Sequence, residues 1–425
     1  MSISVQECPR WKTQALAGGN VRSSESVTPG HPDMLMDVMA DKILDTAYAC
    51  LDEQLEVWRQ TGDPKSEYIN RGNVRVAIDG LVKGNEEGGT LSLAGEITLP
   101  DGIVPDYEGV VRETIKAIGY DDPNAGFWYG LPDLNFHITK QSENIAAGVN
   151  DGGGKIKGAG DQGICFGYAT NEHLSLMPLP LQCAHEITAG LTAARKKFPW
   201  LKPDGKSQVG VNYINGKPTD ITHVTLAAAH DARHRLIDVR YDLYNEVIIP
   251  VLDQFGFKLP ISEHELLSAT GPIIINGAGP WCDKWGPLAD SGEVGRKIDV
   301  VTYGGAAPHG GGALSGKDPS KVDRSGKYAA RYIAARLVDE GFADRFQLGL
   351  SFSIGQPEPD SIYIETFGTE HRTWNETVHR ISEILDLSVA GIIDGLNLLH
   401  ISYTPTALRH FGNPEFPWEK FGNHS

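Results

Sequence analysis

Short β-branched runs alternate with amphipathic segments along this chain of 425 residues. The β-branched runs predict strands at 74–78, 209–213, 298–303 and 362–367. Apolar residues at helical spacing predict helices at 32–49, 237–249, 325–340 and 376–396. Pro32 suits the first turn of the first helix, and Gly341 follows the third as a stop. The mixture favours an α+β or α/β protein, with more antiparallel sheet than a doubly wound fold has.

Glycine and proline, with 49 and 25 copies, punctuate the whole sequence. Two segments rich in these residues separate strand-bearing regions, and we predict boundaries at 151–160 and at 278–291. The length favours about three domains.

The formal net charge of −17 argues against nucleic acid or an anionic membrane as the main partner. The five cysteines are scattered without a C-x-x-C pair, which indicates neither a disulfide framework nor a zinc site. We find no apolar run of membrane-spanning length and no apolar signal segment at the N-terminus. We therefore expect a cytoplasmic protein.

The densest chemical signal is the glycine-rich segment 303–323, YGGAAPHGGGALSGKDPSKVD, between a predicted strand and a predicted helix. Gly310, Gly311 and Gly312 allow a ligand to approach the backbone closely. Lys317, Lys321 and Arg324 lie at the helix entrance, where free N–H groups already favour anions. We expect a phosphate site here rather than a turn with solvated lysines.

The same segment nearly matches a P-loop, from Gly311 to Lys317. However, Asp318 stands where a P-loop has the Ser or Thr that holds magnesium, and Pro319 delays the helix. We therefore disfavour a P-loop nucleotidase.

A second cluster, ESVTPGHPDMLMDVMADKILD, covers 25–45. Asp33, Asp37 and Asp41 share one helix face, and Mg²⁺ takes one or two such carboxylates together with phosphate oxygens. For Asp37 and Asp41 we favour a solvated acidic face. For His31 and Asp33 the neighbouring residues favour a functional role.

Three further segments are weaker on their own. Asp161, between glycines in 158–172, is equally consistent with a ligand carboxylate and a turn residue. The acid–base pairs in 204–206 and 290–297 suit phosphate, but each alone favours a polar turn.

Together these segments resemble the methionine adenosyltransferase (S-adenosylmethionine synthetase) family. The matching motifs run in the family's order over nearly the whole chain: ESV..GHPD from Glu25, GEIT from Gly95, KQS from Lys140, GAGDQG..FGYATNE from Gly158, DGKSQV from Asp204, GRKI from Gly295, HGGGA.SGKDPSKVDRS from His309, ETFGTE from Glu365 and FPWEK from Phe416.

The resemblance implies three similar α+β domains around a pseudo-threefold axis, which we place at 20–150, 156–272 and 273–420. It also implies a homodimer or a dimer of dimers with shared active sites. The implied reaction is attack of the methionine sulfur on C5′ of ATP, followed by cleavage of the triphosphate to pyrophosphate and phosphate. The resemblance further implies that two Mg²⁺ and one K⁺ assist. Such a reaction needs orientation and charge stabilisation more than a strong base.

The resemblance also implies a role for individual residues. ATP would contact His31, Asp161, Asp204, Lys206, Asp290, Arg296, Lys297, Ala313, Lys317 and Ile354. Methionine would contact Glu96, Gln141, Asp290 and Lys321. The catalytic groups would be His31, Lys206, Arg296 and Lys317. Asp33 and Asp323 would hold Mg²⁺, and Asp79, where the family has Glu, would hold K⁺.

The chain departs from the family pattern at several places. Met34 replaces the lysine of HPDK, Pro272 and Ile273 replace the arginine and phenylalanine of GRF, and Pro308 replaces the arginine of RHGGG. Extra residues occur at 61–70 and 281–288. We expect Lys42 or Lys327 to supply the charge that Met34 lacks, so that Met34→Lys changes kcat by less than about tenfold.

The leading hypothesis is an S-adenosylmethionine synthase whose glycine-rich segment 142–154 closes over the site as a gate. The alternatives are a paralogue that uses another thioether or nucleotide and a nucleotide-binding regulatory subunit without turnover.

Overall fold

The protein is analysed as a computed structural model that describes residues 20–141 and 158–422. The helices of the described residues are α1 (Pro32–Thr61), α2 (Lys65–Tyr68), α3 (Tyr107–Ile118), α4 (Leu179–Ala194), α5 (Leu236–Leu243), α6 (Ile249–Gln254), α7 (Glu263–Ser268), α8 (Ile298–Val301), α9 (Val322–Asp339), α10 (Trp374–Ile384) and α11 (Val389–Gly395). A π-helical turn, Tyr244–Ile248, joins α5 to α6.

The strands are β1 (Asn20–Val27), β2 (Arg75–Lys83), β3 (Thr90–Thr98), β4 (Asp133–Thr139), β5 (Gly163–Thr170), β6 (Leu201–Ile214), β7 (Lys217–His230), β8 (Ile273–Ile275), β9 (Gly292–Glu293), β10 (Arg345–Phe352) and β11 (Ser361–Glu365). They form three sheets with the orders β1-β6-β7-β8, β11-β10-β5 and β4-β3-β2-β9. The pairs β3–β4 and β7–β8 are parallel, whereas β2–β3, β2–β9, β6–β7, β5–β10 and β10–β11 are antiparallel. The predicted α+β fold with mixed sheets is confirmed.

The described chain divides into two compact units. The first unit contains 20–26, 179–201 and 205–282, and the second contains 27–141, 158–178, 202–204 and 283–422. The break after Cys282 falls inside the predicted boundary 278–291.

The core of the first unit lies between its sheet and its helices. Val209, Val211 and Tyr213 alternate along β6 and point inward, which is the period-2 pattern of a half-buried strand. They pack with apolar residues of α4 and α5, including Ile187 and Leu243. Burial of this strand face holds the sheet against the helices.

In the second unit, α9 lies directly on the strands β5 and β10. A Cβ on Gly167 of β5 would come within 2.0 Å of the backbone of Ala330 in α9. The absence of a side chain at Gly167 therefore allows this close approach. The other long helix, α1, packs on β2 and β9.

Most of the predicted elements are confirmed, since β2, β6 and β11 cover the predicted strands at 74–78, 209–213 and 362–367, apart from a residue or two at their ends. The helices predicted at 32–49, 237–249 and 325–340 are present as well. The helix predicted at 376–396 is interrupted between α10 and α11, where Ser388 caps the second helix through the N–H of Gly391. The predicted gate 142–154 lies outside the described residues.

The strand predicted at 298–303 is wrong. Its first residues form the short helix α8, and Val300 and Val301 are buried in a cluster with Val27, Met34 and Val38. A short apolar run that is buried on all sides has no periodicity that separates strand from helix.

Candidate active site

The site begins at the N-terminus of α1. His31 is the N-cap residue, and its Nδ1 accepts the backbone N–H of Asp33 at 3.2 Å. Pro32 occupies the first turn, where no N–H is needed. Asp33 is buried in that turn, where the helix dipole favours a negative charge.

Two basic residues from the loop after β9 surround Asp33. The Nζ of Lys297 donates to Oδ2 of Asp33 at 2.6 Å, and Nη1 of Arg296 lies 3.7 Å from Oδ1. The backbone N–H of Glu293 in β9 also donates to Oδ1 at 3.0 Å. The structure thus brings His31, Asp33 and these two basic residues together.

The interpretation of Asp37 and Asp41 as a solvated face is wrong, because both side chains are buried. Asp37 accepts the N–H of Gly295, and Asp41 accepts the N–H of Gly316, each at 2.8 Å. The sequence held a signal for this burial, since apolar residues surround the acidic positions in the first turns of α1. A helix that is apolar on all sides is buried, and polar groups inside must find partners.

Burial raises the pKa of Asp37 to about 8, and the neighbouring carboxylates of Asp41 and Asp33 add to the effect. The N–H of Gly295 opposes it without cancelling it. Asp37 is therefore largely protonated at neutral pH, and it fixes the loop before Lys297 mainly through a neutral hydrogen bond.

The glycine-rich segment runs along the free edge of β2, next to β9. Ile78 donates its N–H to the carbonyl of Gly316 at 3.0 Å, and Lys317 forms a β-bridge with Ala77. The N–H of Asp318 donates to the carbonyl of Val76 at 3.0 Å, and the N–H of Val76 donates to the side-chain Oδ2 of Asp318 at 2.8 Å. Asp318 is thus buried at the edge of β2. A P-loop follows a strand, whereas residues 298–301 before this segment form the helix α8. The segment is therefore not a P-loop.

A second lysine–carboxylate pair forms at the N-terminus of α9. The Nζ of Lys317 donates to Oδ2 of Asp323 at 2.7 Å, and both side chains are mostly buried. Asp323 lies in the first turn of α9, as Asp33 does in α1. Lys321, the N-cap residue, is buried beside Gly160. Each helix therefore presents an acidic first turn neutralised by a lysine from a glycine-containing loop.

A buried ion pair holds the loop around Lys317. Nη2 of Arg324 donates to Oδ2 of Asp41 at 2.7 Å, and its Nη1 donates to the carbonyl of Lys317 at 2.9 Å. Asp41 in turn holds Gly316, the residue before that lysine. The sequence grouped Arg324 with the lysines at the helix entrance, but its side chain is fully buried against Asp41, and nothing in the pattern shows that it turns into the core.

The residues expected to hold methionine lie at one end of the same sheet. In the register, Glu96 of β3 faces Ala77 of β2 on one side and Thr139 of β4 on the other. Ala77 also bridges Lys317. The N–H of Gln141 donates to Oγ1 of Thr98 at 2.9 Å, and its buried Oε1 has no hydrogen-bond partner among the described residues. A buried acceptor in this position suits a ligand donor.

The described residues contain no group of three or more His, Cys, Asp or Glu side chains that could hold a metal ion alone. Asp33 and Asp323 provide hard oxygen ligands without enclosing a cage. That arrangement suits an ion whose remaining ligands are phosphate oxygens and water. Asp79 is exposed on β2, one side-chain position along from Ala77 on the same face.

Several candidate residues make no described contact with the two lysine–carboxylate pairs. Asp161 and Asp290 are exposed, and each accepts the N–H of the following residue at 2.8 Å, which is turn geometry. Ile354 is 47 % exposed after β10. Oδ2 of the buried Asp204 accepts the N–H of Gly286 at 2.8 Å. Lys206 belongs to the first unit, where it pairs with Glu25 at 2.6 Å.

Met34 does not face the site. Its side chain is fully buried with Val38 and Val301. Of the two lysines considered as replacements for its missing charge, Lys42 is exposed on α1. Lys327 is buried and donates to the carbonyl of Gly312 in the glycine-rich segment. The lysine that contacts Asp33 is a third one, Lys297.

Among the residues that the structure describes, no helix is both long and apolar enough to cross a membrane.

Comparison with known proteins identifies the family of the chain. Family models of S-adenosylmethionine synthetase match in three parts: the N-terminal domain at 20–143, the central domain at 156–279 and the C-terminal domain at 285–420. An S-adenosylmethionine synthase of Sulfurovum sp. (strain NBC37-1) is 40% identical over 411 residues, which cover 95% of this chain and 97% of that protein. The chain belongs to the S-adenosylmethionine synthetase family.

Proposed function

We propose that this member of the family makes S-adenosylmethionine from ATP and L-methionine at the two paired helix N-termini, α1 and α9. The observation that carries the proposal is the repeated arrangement of Asp33 with Lys297 and Asp323 with Lys317. Both lysines come from loops on the same edge of β2. The loop of Lys297 follows β9, which pairs with β2, and Lys317 forms a bridge with Ala77 of β2. A polyphosphate chain between these loops would meet cations along its length.

The chemistry explains why such a site is sufficient. The sulfur of methionine is neutral and needs no general base, whereas the leaving triphosphate carries several negative charges. Fixed cations and helix N-termini that face the departing oxygens stabilise that charge without reorganisation during the reaction. Lys297, Arg296 and Lys317 would supply the charge. His31 would lie against the oxygen at the bond that breaks.

Lysine–carboxylate pairing in the structure prepares this site for its ligand. Each lysine neutralises a buried aspartate, so that neither charge is left alone in a partly dry environment. When polyphosphate enters, the lysines can turn to its oxygens. The carboxylates are then available to a cation.

Mg²⁺ fits the donor set, which consists of separate carboxylates and no closed cage. Asp33 and Asp323 would hold the two ions against phosphate oxygens. Bound Mg²⁺ would neutralise charge on the triphosphate as it leaves and as it is later cleaved. Asp79, exposed on β2, would be the K⁺ ligand.

Methionine would bind at the end of the sheet beside Lys317. Glu96, Gln141 and Lys321 would hold its amino and carboxylate groups, with Asp290 completing the set. The buried acceptor of Gln141 supports this part of the proposal. Asp161, Asp204, Lys206 and Ile354 would contact the nucleotide.

The proposal includes a homodimer or dimer of dimers with shared active sites. Support comes from the open face of the β5–β10–β11 sheet, where Ile164 and Tyr363 are 55 % and 51 % exposed around a cavity that Phe166 also lines. Exposed apolar patches of this kind mark interaction surfaces.

The proposal also includes three domains, at 20–150, 156–272 and 273–420, and a cytoplasmic location. The four described cysteines are free thiols, which is consistent with a reducing compartment.

Mutation of the paired lysines tests the assignment. Lys317→Met should lower kcat/KM for ATP by about tenfold to a hundredfold, because a charge-assisted contact of about 1.5–3 kcal/mol is lost. Lys217→Met is a matched control, since Lys217 is exposed at the start of β7. Equal activity of the two variants would contradict the site.

A further inference from the structure

Lys327 is a buried lysine to which the proposed mechanism gives no role. Its side chain is 1% exposed on α9, one turn beyond Asp323. Its ammonium donates to the backbone carbonyl of Gly312 in the glycine-rich segment. Burial lowers the pKa of Lys327 to about 8, although the nearby Asp323 opposes the shift. Holding this ammonium in the interior is therefore costly.

The carbonyl that Lys327 holds belongs to the peptide group between Gly312 and Ala313. A trans peptide is planar, and its C=O and N–H bonds point in opposite directions. Because the carbonyl of Gly312 is turned inward to Lys327, the N–H of Ala313 is turned away from α9. That N–H has no hydrogen-bond partner among the described residues.

The position of this peptide links the two lysine–carboxylate pairs. A Cβ on Gly312 would lie 2.1 Å from Cγ of Asp323, so the peptide passes directly over that carboxylate. A Cβ on Gly295, two residues before Lys297, would lie 2.6 Å from Cβ of Ala313. The amide of Ala313 therefore lies in the loop that carries Lys317, against the loop that carries Lys297.

We infer that Lys327 is a positioning residue that turns the amide of Ala313 towards the polyphosphate as a hydrogen-bond donor. The inference rests on the proposed function and deepens it. Backbone N–H groups in glycine-rich loops bind phosphate oxygens when they approach closely and hold a fixed orientation. Lys327 supplies that orientation from behind the loop, without touching the ligand.

The test compares Lys327→Met with the exposed control Lys217→Met. Methionine keeps the length of the lysine stem and removes its donor. We expect the affinity for inorganic triphosphate, measured by titration calorimetry with Mg²⁺, to fall about tenfold in Lys327→Met and to stay unchanged in the control. KM for methionine should change by less than about twofold, while kcat/KM for ATP falls with triphosphate affinity. A tenfold loss corresponds to about 1.4 kcal/mol.

Three outcomes would overturn the inference: triphosphate affinity within about twofold of the wild type, equal losses for both substrates, or a loss that a lower melting temperature explains. If Lys327 had only a general structural role, its replacement would impair both substrates equally or act through a lower melting temperature. Removing the buried charge should leave the melting temperature unchanged or raised, because an apolar side chain of similar size fits the interior.

A second measurement needs no variant. Hydrogen exchange of the wild type, followed on peptides that cover 311–316, should show protection of the Ala313 amide when triphosphate binds. Unchanged exchange at saturating triphosphate would overturn the inference even if Lys327→Met failed to fold. A wild type that binds triphosphate and protects Ala313 but makes no S-adenosylmethionine would overturn the proposed function instead.

Discussion

Replacement of Arg324 by methionine should both destabilise the protein and impair the site. The two charged side chains of the Arg324–Asp41 pair are 0% exposed, and Arg324 also donates to the carbonyl of Lys317. Arg324→Met leaves a carboxylate in the interior without its cation. It also frees one side of the loop that carries Lys317.

The cost follows from the burial of the pair. Removing one partner of a buried pair costs about 3–5 kcal/mol, because the other charge is left uncompensated. Burial raises the pKa of Asp41 even with Arg324 present. Asp41 can therefore take up a proton in the variant, which places the expected loss towards the lower end of that range at neutral pH.

Urea unfolding at constant protein concentration measures this loss. The double variant Asp41→Asn with Arg324→Met should recover part of it, since no charge is then left and Asn can still accept the N–H of Gly316. The exposed pair Arg235–Asp238 supplies the control, and Arg235→Met should cost less than about 1 kcal/mol. A loss below about 1 kcal/mol in Arg324→Met would refute the reasoning.

Three further predictions concern other residues of the site. Burial raises the pKa of Asp37 from 3.8, the value of an ordinary aspartate in the unfolded chain, to about 8, so the folded protein binds the extra proton and loses stability as pH rises through that window, by up to about 1.4 kcal/mol per pH unit. Urea unfolding of Asp37→Asn, which does not titrate, should show an advantage over the wild type that grows from pH 6 to pH 8; a constant difference would contradict it. Met34→Lys places an amine in the apolar cluster and should lower the unfolding free energy by about 3 kcal/mol or more, whereas Met34→Leu should cost less than about 1.5, and kcat per folded molecule should change by less than about tenfold. Asp323→Asn should raise the Mg²⁺ concentration for half-maximal activity at least tenfold, and an unchanged Mg²⁺ dependence would remove Asp323 as a ligand.

The sequence predicted the elements whose pattern is periodic. Apolar residues at helical spacing in 325–340 identified α9, and the β-branched run at 209–213 identified part of β6. The strand predicted at 298–303 was wrong because Val300 and Val301 are buried from several sides and carry no periodic signal. The break between α10 and α11 depends on a cap at Ser388, which a broad apolar pattern does not reveal.

The sequence predicted individual site residues but not the contacts between them. Glycines and basic residues predicted a phosphate site, and the family resemblance implied a role for each residue; these roles stay predictions. The pairing of Asp33 with Lys297 depends on a contact across 264 positions, and that of Asp41 with Arg324 on one across 283. Only the fold brings such residues together. The inward orientation of Met34 likewise follows from packing of α1 on its neighbours rather than from the motif that contains it.

The most direct test is to incubate the purified chain with ATP, L-methionine, Mg²⁺ and K⁺ and to identify every product. The account predicts S-adenosylmethionine together with pyrophosphate and phosphate in equal amounts, with none formed when Mg²⁺ is removed. Formation of ADP and phosphate without S-adenosylmethionine would contradict it.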